Sequence, residues 1–488
     1  MTAPPREIHL EGRLLDVPRS SACSCRGAKL TISGTQLSSV VAHAHLNRHR
    51  LLLMPPLCNA HDHVRGVRPS SIGAFDLPLE LWLVYMTAMP VVDPYLVVAA
   101  ALGRQALGGV GTIMIHYTRP QNPAVLGEEL SVVARAATDI GVRVAIAVAM
   151  RDQNPLGYGA DEQLLEGLEP FDREMVRSKL LAKPPSPEEA VRFVDDLAEK
   201  ITSPLVSVQY GPYGVEWCTP ALLELIAEQS ALNGRRVHMH VLESRTQREY
   251  LDHLYPEGPI KYLDRIGMLS PRLSVAHGVW LRSDELELLS ERKVTISINA
   301  SSNLHIRSGI APLRRMHDLG VPFALGLDGF SVDDDDDAFR EMRLNYMLHQ
   351  GVALEDGVPL SGLLHAGCYQ GRYSVSGIAC GDGVAAGAPA DLMVVDFGAI
   401  SQDVFMDLDE AALLVRRATA RHMRRLIVAG REVVRNGALC GVDLAQVQDE
   451  LNAQVRFGLP QFLSWQEVAG HFRQRLRSFY GLGLHRCG

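Results

Sequence analysis

The chain has 488 residues, 47% of them apolar, with 42 Gly and 27 Pro; that is ample for a sizeable core and excludes a low-complexity chain. Its 48 Lys and Arg against 56 Asp and Glu give a formal net charge of −8, which leaves no basic footprint for nucleic acid and suits a soluble enzyme of small molecules. Residues 1–12 lack the apolar centre of a signal peptide, and the apolar stretch Leu81 to Leu107 is broken by Pro90, Asp93 and Pro94, which excludes a membrane span there.

The eight cysteines are scattered with no Cys-x-x-Cys pair, the pattern of reduced thiols in the cytoplasm. Cys23-Ser24-Cys25 reads as a surface pair rather than a metal clip. Residues 6 to about 50 are short and strand-like, as in Glu7-Ile8-His9-Leu10 and Lys29-Leu30-Thr31-Ile32. From residue 52 to about 350, short apolar runs alternate with helix-period segments, the mark of repeated β-α units around a parallel sheet. The expected strands are Leu51–Leu57, Thr112–His116, Val142–Ala149, Leu205–Tyr210, Arg236–Val241, Leu273–His277, Val294–Asn299 and Phe323–Asp328. Between them lie expected helices such as Tyr95–Gly108, Glu188–Lys200, Pro220–Leu232, Asp284–Arg292 and Leu313–Leu319. Eight such units predict an α/β fold, a closed (β/α)8 TIM-like barrel.

After residue 380 the texture is β again. Gly381-Asp382-Gly383 reads as a turn, Asp391–Asp396 as a strand and Leu426–Val434 as a hairpin turning at Ala429-Gly430. The two β-rich ends are expected to form one small β-sandwich accessory domain. The tail from Asp443 is helical in period, with Trp465, Phe472 and Phe479 as anchors. The expected division is therefore 1–53 and 379–440 for the accessory domain, 54–378 for the barrel and 441–488 for a helical tail.

Side chains at the C-terminal ends of barrel strands converge on one mouth. His61 and His63 share a face at the end of the first strand, and Asp62 points opposite. The fifth strand ends in His238-Met239-His240-Val241-Leu242-Glu243, the sixth in His277 and the eighth in Asp328. His61, His63, His240 and Asp328 together make an N3O metal site with room for a water. His238 and His240 share a face, so only one need be a ligand, and His240 is nearer the strand end. Glu243 is placed to carry the water's proton to a leaving group, and His277 to polarise the substrate. Candidate substrate contacts are His116 on the second strand, Arg151 after the third, Tyr213 and Trp217 as stacking rings, and Asn303 at the pocket rim. Four of the five have a plainer alternative: a buried structural histidine for His116, an exposed ion pair for Arg151-Asp152, and core aromatics for Tyr213 and Trp217. The acidic run Asp333–Asp337 reads first as a solvated start of the helix Ala338–Gln350.

Asn59-Ala60-His61-Asp62-His63 resembles the strand-one motif of the amidohydrolase superfamily. His240–Glu243, Ala276-His277-Gly278, Ser301–Leu304 with Ser308–Pro312, Leu327-Asp328-Gly329 and Ala390–Asp396 are similar to its later motifs, in order. The resemblance is closest to the mononuclear branch of cytosine, guanine and S-adenosylhomocysteine deaminases and triazine hydrolases. It implies one divalent metal, zinc first with iron(II) or manganese(II) as alternatives, held by His61, His63, His240 and Asp328, with Glu243 and His277 catalytic. By analogy with the superfamily it implies a homodimer as well. Strand four ends Gly211-Pro212-Tyr213 where adenosine-type relatives often have Gly-Pro-His, which removes an imidazole from the ring contact and argues against purine nucleosides. The expected activity is metal-dependent hydrolysis of a C–N bond in a small planar heterocycle or amidine-like substrate. The alternatives are a cyclic-amide or urea-type hydrolase, and a non-catalytic metal- or ligand-binding barrel.

Overall fold

The computed structural model describes residues 7–17, 23–87, 89–330, 334–379 and 383–486. Three N-terminal strands, β1 (Ile8–Asp16), β2 (Ser24–Ser33) and β3 (Gln36–Ala42), form an antiparallel meander. The run expected as one strand, Leu51–Leu57, follows as two. β4 (Leu51–Met54) joins β1 in parallel, whereas β5 (Leu57–Asp62) opens a different sheet. The cause lies in Pro55 and Pro56: neither has an N–H to give a ladder, so the pair ends one sheet and lets the chain turn into the next.

The seven strands expected from Thr112 onward are all present: β6 (Val110–Tyr117), β7 (Arg143–Met150), β8 (Val206–Pro212), β9 (Val237–Val241), β10 (Leu273–His277), β11 (Thr295–Ile298) and β12 (Phe323–Leu325). With β5 they form one parallel sheet in sequential order, and Asp328 N donates to His61 O at 2.9 Å where its two ends meet. Helices cover the outside, among them Pro94–Leu107, Pro187–Lys200, Pro220–Asn233, Ser283–Glu291 and Leu313–Asp318. The fold is the TIM-like barrel the alternation predicts.

The returning strands β13 (Leu392–Asp396), β14 (Met423–Val428), β15 (Arg431–Arg435) and β16 (Ala438–Leu439) add to β4, so both chain ends share one eight-stranded mixed sheet. The sheet closes over an apolar cluster that includes Leu14, Leu30, Ile32, Leu53, Leu392 and Ile427. The expected hairpin turn has Ala429 at φ 49° and Gly430 at φ 75°. A Cβ on Gly430 would lie 1.8 Å from the Gly34 carbonyl oxygen, so only glycine fits there. Of the expected turn Gly381-Asp382-Gly383, the first two residues lie outside the described residues.

The acidic run is not a solvated helix start. Asp337 caps the helix Ala338–Leu348 by accepting from Phe339 N at 3.0 Å, and its other oxygen accepts from Ala420 N at 2.8 Å. Asp336 pairs with Arg104 at 2.6 Å, and both aspartates are buried. The run ties the helix after β12 to its neighbours; Asp333 lies outside the described residues.

The tail is a single 38-residue helix, Leu444–Gly481, capped by Asp443. It lies across the loops that follow β5 and β7. Trp465, Phe472 and Phe479 are buried against Leu81, Trp82, Leu164 and Val176, as the anchor reading requires, and Trp465 Nε1 donates to Thr87 Oγ1 at 3.0 Å. Among the described residues no helix is long and apolar enough to cross a membrane.

Removing a buried aromatic leaves a cavity as well as lost transfer energy, so Phe472→Ala is expected to lower unfolding free energy by about 3–5 kcal/mol. Urea melts followed by tryptophan emission measure it; a loss below about 1 kcal/mol would mean that the helix is not docked as described.

Candidate metal centre and active-site pocket

The strand ends that carry the chemistry are held by their own neighbours. Asn59 Oδ1 accepts from Leu327 N at 2.8 Å, while its amide donates to Asp62 Oδ2 at 2.6 Å. Asp62 faces away from His61 and His63, as alternation requires, and also accepts from Gln105 Nε2 and Gly329 N. Burial, with the charge of Asp336, pushes the Asp62 carboxyl up to about 6. Three residues that end strands here adopt left-handed backbone, Leu242 (φ 49°), His277 (φ 73°) and Asp328 (φ 56°), a conformation non-glycine residues hold only where surroundings impose it. Gly326 lets the eighth strand press against the seventh: a Cβ there would stand 2.2 Å from Asn299 Oδ1.

Each imidazole of the cluster has its Nδ1 committed. His63 Nδ1 donates to His116 O at 2.8 Å and His240 Nδ1 to Tyr213 O at 2.6 Å; a carbonyl can only accept, so both Nε2 atoms carry lone pairs in the neutral rings. His61 Nδ1 meets His238 Nε2 at 2.7 Å, and His238 Nδ1 meets Ser274 Oγ at 2.7 Å, a chain that leaves His61 Nε2 bare too. These three atoms and Asp328 Oδ1 converge: His63 Nε2 is 3.3 Å from His240 Nε2, and Oδ1 is 3.3 Å from His61 Nε2 and 3.1 Å from His63 Nε2. His61 Nε2 and Asp328 Oδ1 are buried with no hydrogen-bond partner among the described residues. Burial drives His61 and His240 well below the usual histidine range, so protons do not fill the gap. Burial acts to raise Asp328, but the charge of the Arg65 guanidinium 3.6 Å away and the polar contacts around it hold it well below the carboxylate range. Four proton-free donors facing one another call for a cation between them, and three imidazoles with one carboxylate suit a divalent transition metal.

Glu243 and His277 stand beside this cluster, with Glu243 Oε2 3.6 Å from His277 Nε2. Burial raises Glu243 well above its usual value, helped by the charges of Asp328, Glu80 and Glu216 and opposed by Arg65. His277 Nδ1 is held by Asn303 Oδ1 at 2.8 Å, which turns its Nε2 toward Glu243. Ser302 Oγ donates to Asp328 Oδ2 at 2.5 Å, and Arg65 donates to the Asp328 carbonyl.

The centre opens into a pocket of about 350 Å³ that His63, His240, Glu243, His277 and Asp328 line at its base. Tyr213, Trp217 and Arg151 line it as expected, with the Arg151 guanidinium 5.3 Å over the Tyr213 ring. Asp152, expected as the partner of Arg151, instead accepts from Thr219 N and Oγ1. His116 and Asn303 do not line the pocket. His116 is buried beneath it, with Nε2 donating to Gly211 O at 3.0 Å, and it acts on the site through the carbonyl that fixes His63. Asn303 acts through His277. Sequence reasoning missed His238, Arg65, Glu80 and Arg119. His238 had a signal, its shared face with His240; the others lie in loops and helices where no period marks them. It also missed that Phe472 and Tyr480 of the C-terminal helix form part of the pocket wall.

Behind that wall Glu216 is buried with both carboxylate oxygens unpartnered among the described residues. Burial, with the charge of Glu80, pushes it up to about 8.

Comparison with known proteins gives the family and agrees with the fold. The pattern of the amidohydrolase family matches residues 52–433. The chain is 30% identical, over 63% of its own length, to a 5'-deoxyadenosine deaminase of Methanothermobacter thermautotrophicus, of which it spans 65%. It is 27% identical to a 5-methylthioadenosine/S-adenosylhomocysteine deaminase of Pyrococcus furiosus, over 82% of this chain and 87% of that one. Among solved structures, its fold is similar to an adenosine deaminase from Xanthomonas campestris with bound zinc (TM-score 0.73, 22% identity, 93% of this chain and 98% of that one). It is similar as well to atrazine chlorohydrolase from Arthrobacter aurescens complexed with zinc (TM-score 0.75, 19% identity, 92% and 99%). The chain belongs to the amidohydrolase family, enzymes that hydrolyse carbon–nitrogen bonds outside peptides.

His238→Ala removes the acceptor that fixes His61 and is expected to weaken zinc binding about 10- to 100-fold, read by competition with a chromophoric chelator; unchanged affinity would remove His238 from the support of the site. Glu216 carries a separate prediction. Its folded-state pKa lies above the unfolded value, so the folded chain holds a proton the unfolded chain has released, and stability falls as pH rises from 4.5 to about 8. Glu216→Gln should flatten that slope, gaining on the order of a few kcal/mol relative to wild type at pH 8.5 and little at pH 4.5, measured by urea melts across the range.

Proposed function

We propose that this amidohydrolase is a zinc-dependent deaminase that replaces the exocyclic amine of a planar, adenine-type nitrogen heterocycle with oxygen. The observation that carries this reading is the set of four proton-free donors with Glu243 and His277 beside them, open to a pocket with an aromatic wall. His61, His63, His240 and Asp328 would hold the ion, which supplies Lewis acidity and brings a water near neutral pKa.

The remaining chemistry falls to the chain. Glu243, desolvated and raised well above its usual value, is placed to take a proton from the attacking water and to give it back to the departing amine. His277, its ring fixed by Asn303, faces both Glu243 and the space where the substrate carbon must sit, so it is placed to steady the oxygen that forms. Trp82, Leu156 and Phe472 give the pocket an apolar lining beside these groups.

Tyr213 and Trp217, with ring centroids 5.9 Å apart, offer faces for a flat ring. The Tyr213 hydroxyl donates to Thr118 O, so recognition of the ring falls to stacking and to Glu243 rather than to an imidazole at that position. That change does not by itself exclude purine derivatives, and the archaeal relatives at 27–30% identity are both named as deaminases of adenosine derivatives.

Ammonia release by zinc-loaded protein should appear with aminopurines or their derivatives and vanish on chelation. Glu243→Gln is expected to keep its zinc and lose roughly 10²–10⁴-fold in kcat. Turnover within tenfold of wild type with metal retained would remove Glu243 from the mechanism. Silence of the wild type across aminopurines, aminopyrimidines and aminotriazines would overturn the deaminase reading.

A further inference from the structure

Arg119 lines the pocket wall just beyond β6, next in sequence to Thr118, whose hydroxyl lies 2.9 Å from His63 Nδ1. Its guanidinium donates to the Met89 carbonyl at 2.7 Å, and that is its one hydrogen bond among the described residues. Among the described residues no carboxylate pairs with it. The nearby acid, Glu129, is already used by Tyr117 Oη, Gln121 N and Asn122 N. The other charges around Arg119 are cations: Arg65 on the inner side, and Lys179 on the rim, which rests over the Trp465 ring. Desolvation, with repulsion from Arg65, brings Arg119 down to about 10, still cationic at neutral pH. Gln121 lines the same wall; its side-chain oxygen accepts from Val92 N at 3.1 Å, and its NH₂ is left as a second donor.

Arg119 is half-buried, and a partly desolvated guanidinium beside other cations is stabilised when an anion meets it. Its planar fork matches a carboxylate or phosphate in two parallel bonds. Here the fork borders the cavity in which the substrate must lie.

We propose that Arg119, with Gln121, forms an anion-binding subsite in the pocket wall, so that the substrate is an amino-heterocycle carrying an acidic oxygen arm, a carboxylate in the first place. The subsite deepens the deaminase reading and rests on it for the identity of the ring, not for the existence of the anion contact. Arg151 does not duplicate it, since it is exposed and faces the charge of Asp161.

Binding and turnover separate the two ideas. Calorimetry on zinc-loaded Glu243→Gln protein would compare adenine bearing a carboxymethyl arm at N9 with the corresponding carboxamide, and with adenosine 5'-monophosphate. The acid is expected to bind on the order of 10- to 100-fold more tightly than the amide, as a charge-assisted hydrogen bond supplies. Adding Arg119→Gln should bring that ratio to about one, and Arg119→Lys should keep part of it; unchanged melting temperatures check that both variants fold. Tighter binding of the monophosphate than of the carboxylate would keep the subsite and assign it to phosphate. A ratio near one with Arg119 present, a ratio unaffected by Arg119→Gln, or no binding of any of the three would overturn the proposal. Ammonia release from the same ligands by wild-type protein reads the other question: anion-dependent binding without ammonia would sink the deaminase reading and leave the subsite standing.

Discussion

Three imidazole nitrogens and one carboxylate oxygen face one another, with His63 Nε2 3.3 Å from His240 Nε2 and 3.1 Å from Asp328 Oδ1, and the barrel mouth is arranged around that fact. Two of the tautomers are forced by main-chain carbonyls, of His116 and Tyr213, which can only accept. The third is set by the His238–Ser274 relay. Strand positions alone therefore dictate which nitrogen faces inward. Left without a cation the cluster would repel itself in a medium of low dielectric, and the depressed histidines show that protons are a poor substitute.

The same exclusion of water has the opposite effect a few ångströms away. Glu80, Glu216 and Glu243 are all carboxyls raised first by desolvation; the charge of Glu80 adds to the shift of Glu216, and both add to that of Glu243. Asp328 is buried as deeply, yet it is held well below the carboxylate range, with the Arg65 guanidinium and the Ser302 hydroxyl beside it. One environment thus separates a carboxylate suited to holding a metal from a carboxyl suited to carrying a proton. Arg65 touches both regimes: it donates to Asp328 and opposes the upward shift of Glu243.

Much of this was legible in the sequence because strands carry a period of two and barrels put strand ends together. His61, His63, His240, Glu243, His277 and Asp328 are all strand-end residues, and all stand where the pattern puts them. The readings that shifted did so where local pattern meets tertiary context. Leu51–Leu57 looks like one apolar run, but the missing amide protons of Pro55 and Pro56 divide it between two sheets. Asp333–Asp337 looks like solvated charge, but Asp336 and Asp337 find Arg104 and the Ala420 amide, partners more than 80 residues away in either direction. His116 and Asn303 fit substrate contacts by spacing, yet neither lines the pocket, and their contacts run to His63 and His277 instead, a distinction of depth that spacing does not record.

The pocket wall follows a different logic from its base. Trp82, Arg119, Arg151 and Leu156 come from segments after strands, where sequence carries no fixed period. Phe472 and Tyr480 come from a helix beyond residue 433, the last residue matched by the family pattern. Tyr480 Oη accepts from Tyr158 N at 3.0 Å, so the helix is bonded to the loop it covers as well as packed on it. A shared reaction centre on strand ends can hence be kept while loops and an appended helix reshape what reaches it, which is how one barrel serves many substrates. In this chain the wall above Glu243 is built from such segments, Arg119, Phe472 and Tyr480 among them, and not from the strand ends that carry the reaction centre.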